Sequence, residues 1–142
     1  MSARAVRQAF RAAISAAVSS GQISAPFVET INRRVRNEDR PDEWVTVEFL
    51  GADEEQIGTG AENERLFRER GAVFVHVLTL AGRGDDRAVE IADEIRAVFR
   101  AAHIGAGVTI ESVAPPDTGD GDDDGAFFRA TVEIQYRHEI AA

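Results

Sequence analysis

Apolar and polar residues follow two different periods along the chain, and these periods predict its helices and strands. Apolar residues recur at helical spacing over residues 3–19 and again over residues 85–102. Strict alternation predicts half-buried strands over residues 44–50 and 126–138. A shorter strand is predicted over residues 108–114, where two prolines then stop it.

The segment 72–80 differs from the other predicted strands because apolar residues occupy both of its faces. Alternation places Val73, Val75 and Val77 on one face and Phe74, Leu78 and Leu80 on the other. A strand of this kind is covered on both sides. In a chain of 142 residues the second cover is expected to be a neighbouring subunit. Assembly, rather than catalysis, is therefore the first hypothesis.

The predicted elements follow the order helix, two strands, helix, two strands, which is typical of an α+β fold. We predict a single, mostly antiparallel sheet of four to five strands with two main helices packed on one face. The chain is predicted to form one domain over residues 1–142, with flexible loops near residues 51–64 and 115–125. Residues 22–40 have weak periodicity, and both a short turn and a strand stay open for them.

Composition and charge exclude several classes of protein. The chain has no cysteine, which excludes disulfides, thiolate metal sites and cysteine nucleophiles. No apolar run approaches the roughly 20 residues that a membrane-spanning helix needs. The net charge is −9, with seven arginines and three acids in residues 1–40 but nine arginines and 22 acids in residues 41–142. The strongly acidic residues 41–142 argue against a protein that wraps around the phosphate backbone of a nucleic acid.

An acidic segment, D-G-D-D-D-G at residues 120–125, matches the first half of a calcium-binding loop. A complete loop of that kind needs a bidentate Glu at its twelfth position, which falls here on Thr131. We therefore predict a solvated acidic hairpin tip at this point and no metal site.

Neither the histidines nor the glycine-rich turn forms a recognisable catalytic or cofactor-binding motif. His76, His103 and His138 lack the i, i+4 spacing of a zinc-binding helix. The turn at residues 82–84 lacks the third glycine of a dinucleotide-binding fingerprint, and two aspartates follow it. The prediction is no enzyme activity, no catalytic residue, no cofactor and no metal.

Taken together, the motifs and their order resemble the tail terminator, or tail completion, proteins of long-tailed bacteriophages and related gene transfer agents. The matching pieces are an N-terminal helix, the strand W-V-T-V-E-F after a proline, the strand R-E-R-G-A-V-F-V-H-V, a G-R-G turn, the helix A-V-E-I-A-D-E-I-R-A-V-F, and a last strand containing E-I-Q-Y-R-H. The resemblance covers nearly the whole chain.

This resemblance implies a structural virion protein whose copies form a homo-hexameric ring. The ring would cap the head-proximal end of the tail tube, end its polymerisation and join the tail to the head connector. Its implied partners are further copies of itself, the tail tube protein and the head-completion protein. DNA would pass through the lumen without specific binding, and no membrane is involved. The implied location is the neck of the virion tail, after assembly in the cytoplasm of the bacterial host.

A ring needs two different, complementary patches on each subunit. The second apolar face of strand 72–80 and exposed parts of the first helix are the candidates for these patches. The loops 51–64 and 117–124 are candidates for contacts along the tube axis or for lining the channel. The residues predicted to contact partners are Asp53, Glu54, Glu55, Arg65, Arg68, Val73, Val75, Val77, Asp120, Asp122 and Asp124.

Two other readings of the sequence remain open. One is a small enzyme or ligand-binding α/β domain with its site at a subunit interface, using His76 or the strand faces that carry Glu48 and Glu133. The other is a monomeric regulatory module of ferredoxin-like type that binds a peptide along a sheet edge.

Overall fold

The computed structural model describes residues 4–30, 41–100, 104–105, 107–119 and 126–141. These residues form helices α1 (Arg4–Ser19) and α2 (Asp86–Phe99) and strands β1 (Glu43–Gly58), β2 (Leu66–Leu80), β3 (Val108–Val113), β4 (Asp117–Gly119) and β5 (Phe127–Ala141). The strands build one sheet in the order β1-β2-β5-β3, with β4 also paired to β5, and each of these pairs is antiparallel. The α+β prediction is confirmed.

Both helices cover the same face of the sheet, which we call the inner face. Each helix buries one stripe of apolar side chains, as the spacing predicts: Val6, Phe10 and Ile14 in α1, and Ile91, Ile95 and Phe99 in α2 are fully buried. Phe10 joins the two helices to the sheet, since its ring lies 5.7 Å from that of Phe99 and 5.6 Å from that of Tyr136. Burial of each such side chain contributes about 1.5–3 kcal/mol to stability.

Helix α2 begins where the sequence predicts, after the turn at residues 82–84. Gly82 and Gly84 have φ angles of +86° and +78°, in the left-handed region that favours glycine. Asp85 occupies the N-cap position, but its side chain makes no capping hydrogen bond. Its contribution to the helix start is therefore limited to its negative charge near the helix N-terminus.

The inner face of the sheet carries most of the hydrophobic core. Alternate residues of β1, β2 and β5 are exposed by no more than 1 %: Val45, Val47, Val73, Val75, Val77, Ala130, Val132, Ile134 and Tyr136. This burial follows from the period of two along each strand.

The opposite face, which we call the outer face, has only a small apolar cluster at one end. Trp44, Leu78 and Phe127 form it, and the rings of Trp44 and Phe127 meet edge to face at 5.8 Å. Val28, Leu80 and Ala126 pack around these three side chains. Neither helix contributes to this cluster, and among the described residues the rest of the outer face is open to solvent or to another molecule.

Residues 51–58 continue strand β1, where the sequence analysis predicted a loop. Strand β1 continues to Gly58 and pairs with β2 from its first residue, Leu66, so that the connection spans only residues 59–65. The pairing of β1 with β2 continues past two register shifts, one between Phe49 and Ala52 and one between Gln56 and Gly58. We call residues 53–70 the arm. Its polar sequence shows no apolar alternation because little of this ribbon is buried.

The edges of the sheet are formed by segments that were hard to predict. Residues 26–28 run parallel to β1, where the Val28 N–H donates to the Val45 carbonyl and the Val45 N–H donates to the Pro26 carbonyl, each over 2.9 Å. On the other edge, β4 pairs with β5 after the two prolines at residues 115–116. Of the undecided stretch 22–40, residues 31–40 lie outside the described part of the chain.

Candidate assembly surface

The outer face of the sheet is polar around its centre, where three neighbouring strands contribute to one hydrogen-bonded group. Cross-strand register places His76 between Thr46 on β1 and Thr131 on β5. The His76 ring bonds through Nδ1 to Thr131 Oγ1 over 2.7 Å and through Nε2 to Glu48 Oε1 over 2.9 Å. Because an ionised carboxylate only accepts hydrogen bonds, Nε2 carries the proton and Nδ1 accepts from the Thr131 hydroxyl.

Burial keeps this histidine uncharged near neutral pH. The His76 side chain is 12 % exposed. Its burial lowers its pKa below the ordinary value of 6.5, and the charge of Arg129 acts in the same direction. Hydrogen bonding to Glu48 raises the pKa of His76 but does not offset the burial.

Two hollows flank His76 on the outer face. The first, of about 360 Å³, lies towards the apolar end and is lined by Thr30, Trp44, Glu48, His76, Leu78 and Arg129. The second, of about 480 Å³, lies towards β4 and is lined by Phe74, His76, Pro115, Asp117, Arg129 and Glu133, among others. We call them the Trp44 hollow and the Pro115 hollow.

The arm carries oppositely charged residues on neighbouring strands. Asp53 lies opposite Arg70 and Glu55 opposite Arg68, and these four residues with Glu54 line a hollow of about 220 Å³. Arg68 also donates from Nη2 to Glu139 Oε1 over 2.8 Å, and this contact lowers the pKa of Glu139. The structure thus brings together Asp53, Glu54, Glu55 and Arg68, four of the residues predicted to contact partners.

The remaining predicted contact residues have different outcomes. Val73, Val75 and Val77 are fully buried against the chain's own helices, so the prediction that they contact partners is wrong. Phe74 lies on the opposite face of β2, because side chains alternate along a strand, and this second apolar face is the one that the helices do not cover. Arg65 lies just before β2 in the connection of the arm. Asp120, Asp122 and Asp124 lie outside the described residues, as does His103.

The contacts give little support for an active site on the outer face. His76, Glu48 and Glu133 do line one hollow, as the enzyme alternative supposed. However, both ring nitrogens of His76 are already bonded within the chain. Among the described residues, no group of three or more histidines and acids is arranged to hold a metal ion.

Some important residues were not found from the sequence. Tyr136 donates from its hydroxyl to Glu69 Oε2 over 2.9 Å, and both residues are buried on the inner face at the base of the arm. Gly71 lies beside them, where an added Cβ would come within 2.7 Å of the Tyr136 hydroxyl oxygen. Glu69 lies an even number of residues before the buried Val73 on β2, so strand alternation places both on the inner face. That alternation was the sequence signal from which the burial of Glu69 could have been predicted.

Comparison with protein families decides what kind of protein this is. The family model described as phage tail terminator protein matches residues 5–136. The chain belongs to the phage tail terminator family. The resemblance found in the sequence is thereby confirmed, and this terminator is a structural protein of the phage tail. Its family implies contacts with other components of the tail and the head.

The other comparisons concern fold and sequence separately. Among the solved structures that match this chain, one has a TM-score of 0.50 and 19 % identity, with 92 % of this chain and 94 % of the other covered. At that identity the match supports the fold alone. No curated protein sequence matches this terminator. Neither of its described helices has the length and apolar character to cross a bilayer.

Proposed function

We propose that this terminator assembles into a homo-hexameric ring on the head-proximal end of the tail tube. The ring ends tube polymerisation and joins the tail to the head connector, in the neck of a virion assembled in the host cytoplasm. The family match over residues 5–136 is the observation that carries this proposal.

The open outer face supports assembly with further copies. The helices cover the inner face alone, while Phe74 and His76 on the outer face are only partly buried. Specific interfaces bury about 1,200–2,000 Å² in total. A sheet face with two hollows and an adjoining arm offers relief into which a second copy could fit. The two patches of a closed ring differ, and a face and an arm are different patches.

The charge of the chain supports passage of DNA through the ring. The net charge is −9, and the arm holds six acids against three arginines. A lumen lined by such residues makes few of the phosphate contacts that release counterions and hold DNA in place. DNA would therefore move through the ring without specific binding.

Three measurements test the proposal. Native mass spectrometry and negative-stain microscopy of the full chain, alone and with purified tail tubes, are expected to show six copies in a ring on one tube end. Tube protein polymerised with the terminator is expected to give tubes that stop growing at the capped end. A chain that stays monomeric with tubes present and leaves their length distribution unchanged would overturn the proposal.

A further inference from the structure

The end of the arm exposes apolar side chains within a polar stretch. Among the described residues, Ile57 and Leu66 are the large hydrophobic side chains left exposed, at 38 % and 42 %. They flank the connection between β1 and β2, and we call residues 57–66 the arm tip. Its turn is closed by a backbone hydrogen bond, which the Glu64 N–H donates to the Ala61 carbonyl over 2.9 Å, and Asn63 adopts a φ of +67°. Exposed apolar side chains at the end of a projecting hairpin are suited to binding another molecule.

The arm tip cannot bury its apolar side chains in its own sheet. Leu66 begins β2 and Leu78 lies near its end, and β2 pairs with β5 without a register shift. Twelve residues at about 3.3 Å each separate the two leucines by about 40 Å along a continuous ladder. The two side chains share the outer face, because they are an even number of residues apart. Within the described part of the chain, both side chains are therefore left available to a second molecule.

A receptor of suitable chemistry lies at the other end of the same face. The Trp44 hollow has a volume of about 360 Å³ and is lined on its apolar side by Trp44 and Leu78. It also contains Arg129, whose Nε is buried without a hydrogen-bond partner among the described residues. The arm tip brings Glu62 and Glu64, both exposed, next to its apolar side chains. The tip and the hollow are thus complementary in apolar character, and Arg129 offers the acids of the tip a positive charge beside the hollow's own acid, Glu48.

We propose that the arm tip of one copy docks into the Trp44 hollow of the next copy, an inference that rests on the proposed ring. Ile57 and Leu66 enter the apolar side of the hollow, and an acid of the tip pairs with Arg129. Because tip and hollow are different patches at opposite ends of one face, the contact is heterologous. Repetition of a heterologous contact closes into a ring when the rotation allows it.

Cross-linking between two cysteine variants tests this contact, since the natural chain has no cysteine. Full-length Ile57→Cys protein is mixed with Glu48→Cys protein and treated with a short bis-maleimide, and the products are identified by peptide mass spectrometry. The control replaces Glu48→Cys by Glu90→Cys, on the solvent side of α2, since the two side chains are 55 % and 62 % exposed. We expect several-fold more product with Glu48→Cys than with Glu90→Cys.

A second change tests the charge component of the contact. Arg129→Glu added to the Glu48→Cys protein is expected to lower the cross-linking yield several-fold. Arg100→Glu, at the exposed end of α2, is expected to leave it unchanged. Equal yields with Glu48→Cys and Glu90→Cys, or products that join two Ile57→Cys copies, would overturn the contact.

The same samples separate this inference from the ring itself. Hexamers that cap tubes but show no preference for Glu48→Cys would overturn the tip contact and leave the proposed function standing. A monomeric chain that leaves tubes uncapped and gives no preferred product would overturn both.

Discussion

Arg87 donates hydrogen bonds to both carboxylate oxygens of Glu43, from Nε to Oε2 over 2.8 Å and from Nη2 to Oε1 over 2.7 Å. The pair joins the first turn of α2 to the first residue of β1. Arg87 further donates to Ser24 Oγ over 3.1 Å, so it also holds the segment that follows α1. One guanidinium therefore connects three parts of the chain that are far apart in sequence.

This pair predicts a stability that depends on pH. Hydrogen bonding to Arg87 lowers the pKa of Glu43 below its ordinary value of 4.5. A lowered carboxyl pKa gives stability that is present above pH 4.5 and lost as the pH falls through the folded-state pKa. Since about a third of each side chain is exposed, we expect Glu43→Gln to lower the free energy of unfolding by about 1 kcal/mol at pH 7.

Urea unfolding between pH 7 and pH 3 measures this difference. The gap between wild type and Glu43→Gln should be constant from pH 7 to pH 5 and then shrink. Glu90→Gln is the matched control, because Glu90 contacts the same Arg87 from a side chain that is 62 % exposed. A gap as large at pH 3 as at pH 7 would contradict the prediction.

The hydrogen-bonded group on the outer face predicts the direction of a pKa change. Because Glu48 raises the pKa of His76 against the effect of burial, we expect Glu48→Gln to lower the pKa of His76 further. The wild type should lose stability as the pH falls from 6.5 to the lower folded-state pKa of His76.

Titration of the His76 ring protons by NMR checks this prediction. Glu133→Gln serves as control, since Glu133 lines the neighbouring hollow but does not bond to His76. An unchanged or higher pKa in the Glu48→Gln protein would show that the contact with Glu48 is not made in solution.

Two glycines of the sheet are expected to respond differently to alanine. At Gly71 an added Cβ would lie 2.7 Å from the Tyr136 hydroxyl oxygen and 2.9 Å from the Ala52 Cβ, whereas at Gly51 it would meet nothing within 4 Å. Gly71→Ala should therefore cost about 1–3 kcal/mol, the usual range for overpacking. Gly51→Ala should change stability by less than about 0.5 kcal/mol. Thermal unfolding of the two variants measures this difference in stability. Equal unfolding midpoints would show that the Tyr136 ring moves aside to make room for the added Cβ.

Charge reversal on the arm tests its part in assembly. We expect the triple change Asp53→Arg, Glu54→Arg and Glu55→Arg to impair tube capping, because it inverts the field of the arm and places like charges opposite Arg68 and Arg70. Tube lengths measured by electron microscopy report the effect. The control reverses three exposed acids of α2, Asp86, Glu90 and Asp93. Unchanged capping by the arm variant would remove the arm from the partner surface.

The regular elements of this fold could be predicted because burial leaves a period in the sequence. Helix α2 and strand β5 have one buried side along most of their length, so apolar spacing marks both. Residues 51–58 carry no such mark, because backbone pairing with β2 holds them while their side chains stay exposed. The bridge at residues 26–28 likewise depends on a neighbouring strand rather than on its own sequence.

The candidate surface was predictable only in part, and for a related reason. The apolar character of both faces of β2 was visible, but which face the helices cover is a property of the whole fold. Val73 and Phe74 could not be told apart on that point. The Glu48–His76–Thr131 group needs the register of three strands. Ile57 and Leu66 did carry a signal, as two apolar residues on either side of a polar turn.

Strand β5 gives the molecule a particular mechanical character. It pairs with all fifteen residues of β2, from the arm to the apolar end of the sheet. A pull directed along the arm therefore loads that entire ladder in shear, and its hydrogen bonds share the force instead of opening one after another. In the proposed ring, this geometry would give a subunit that resists being drawn out lengthwise.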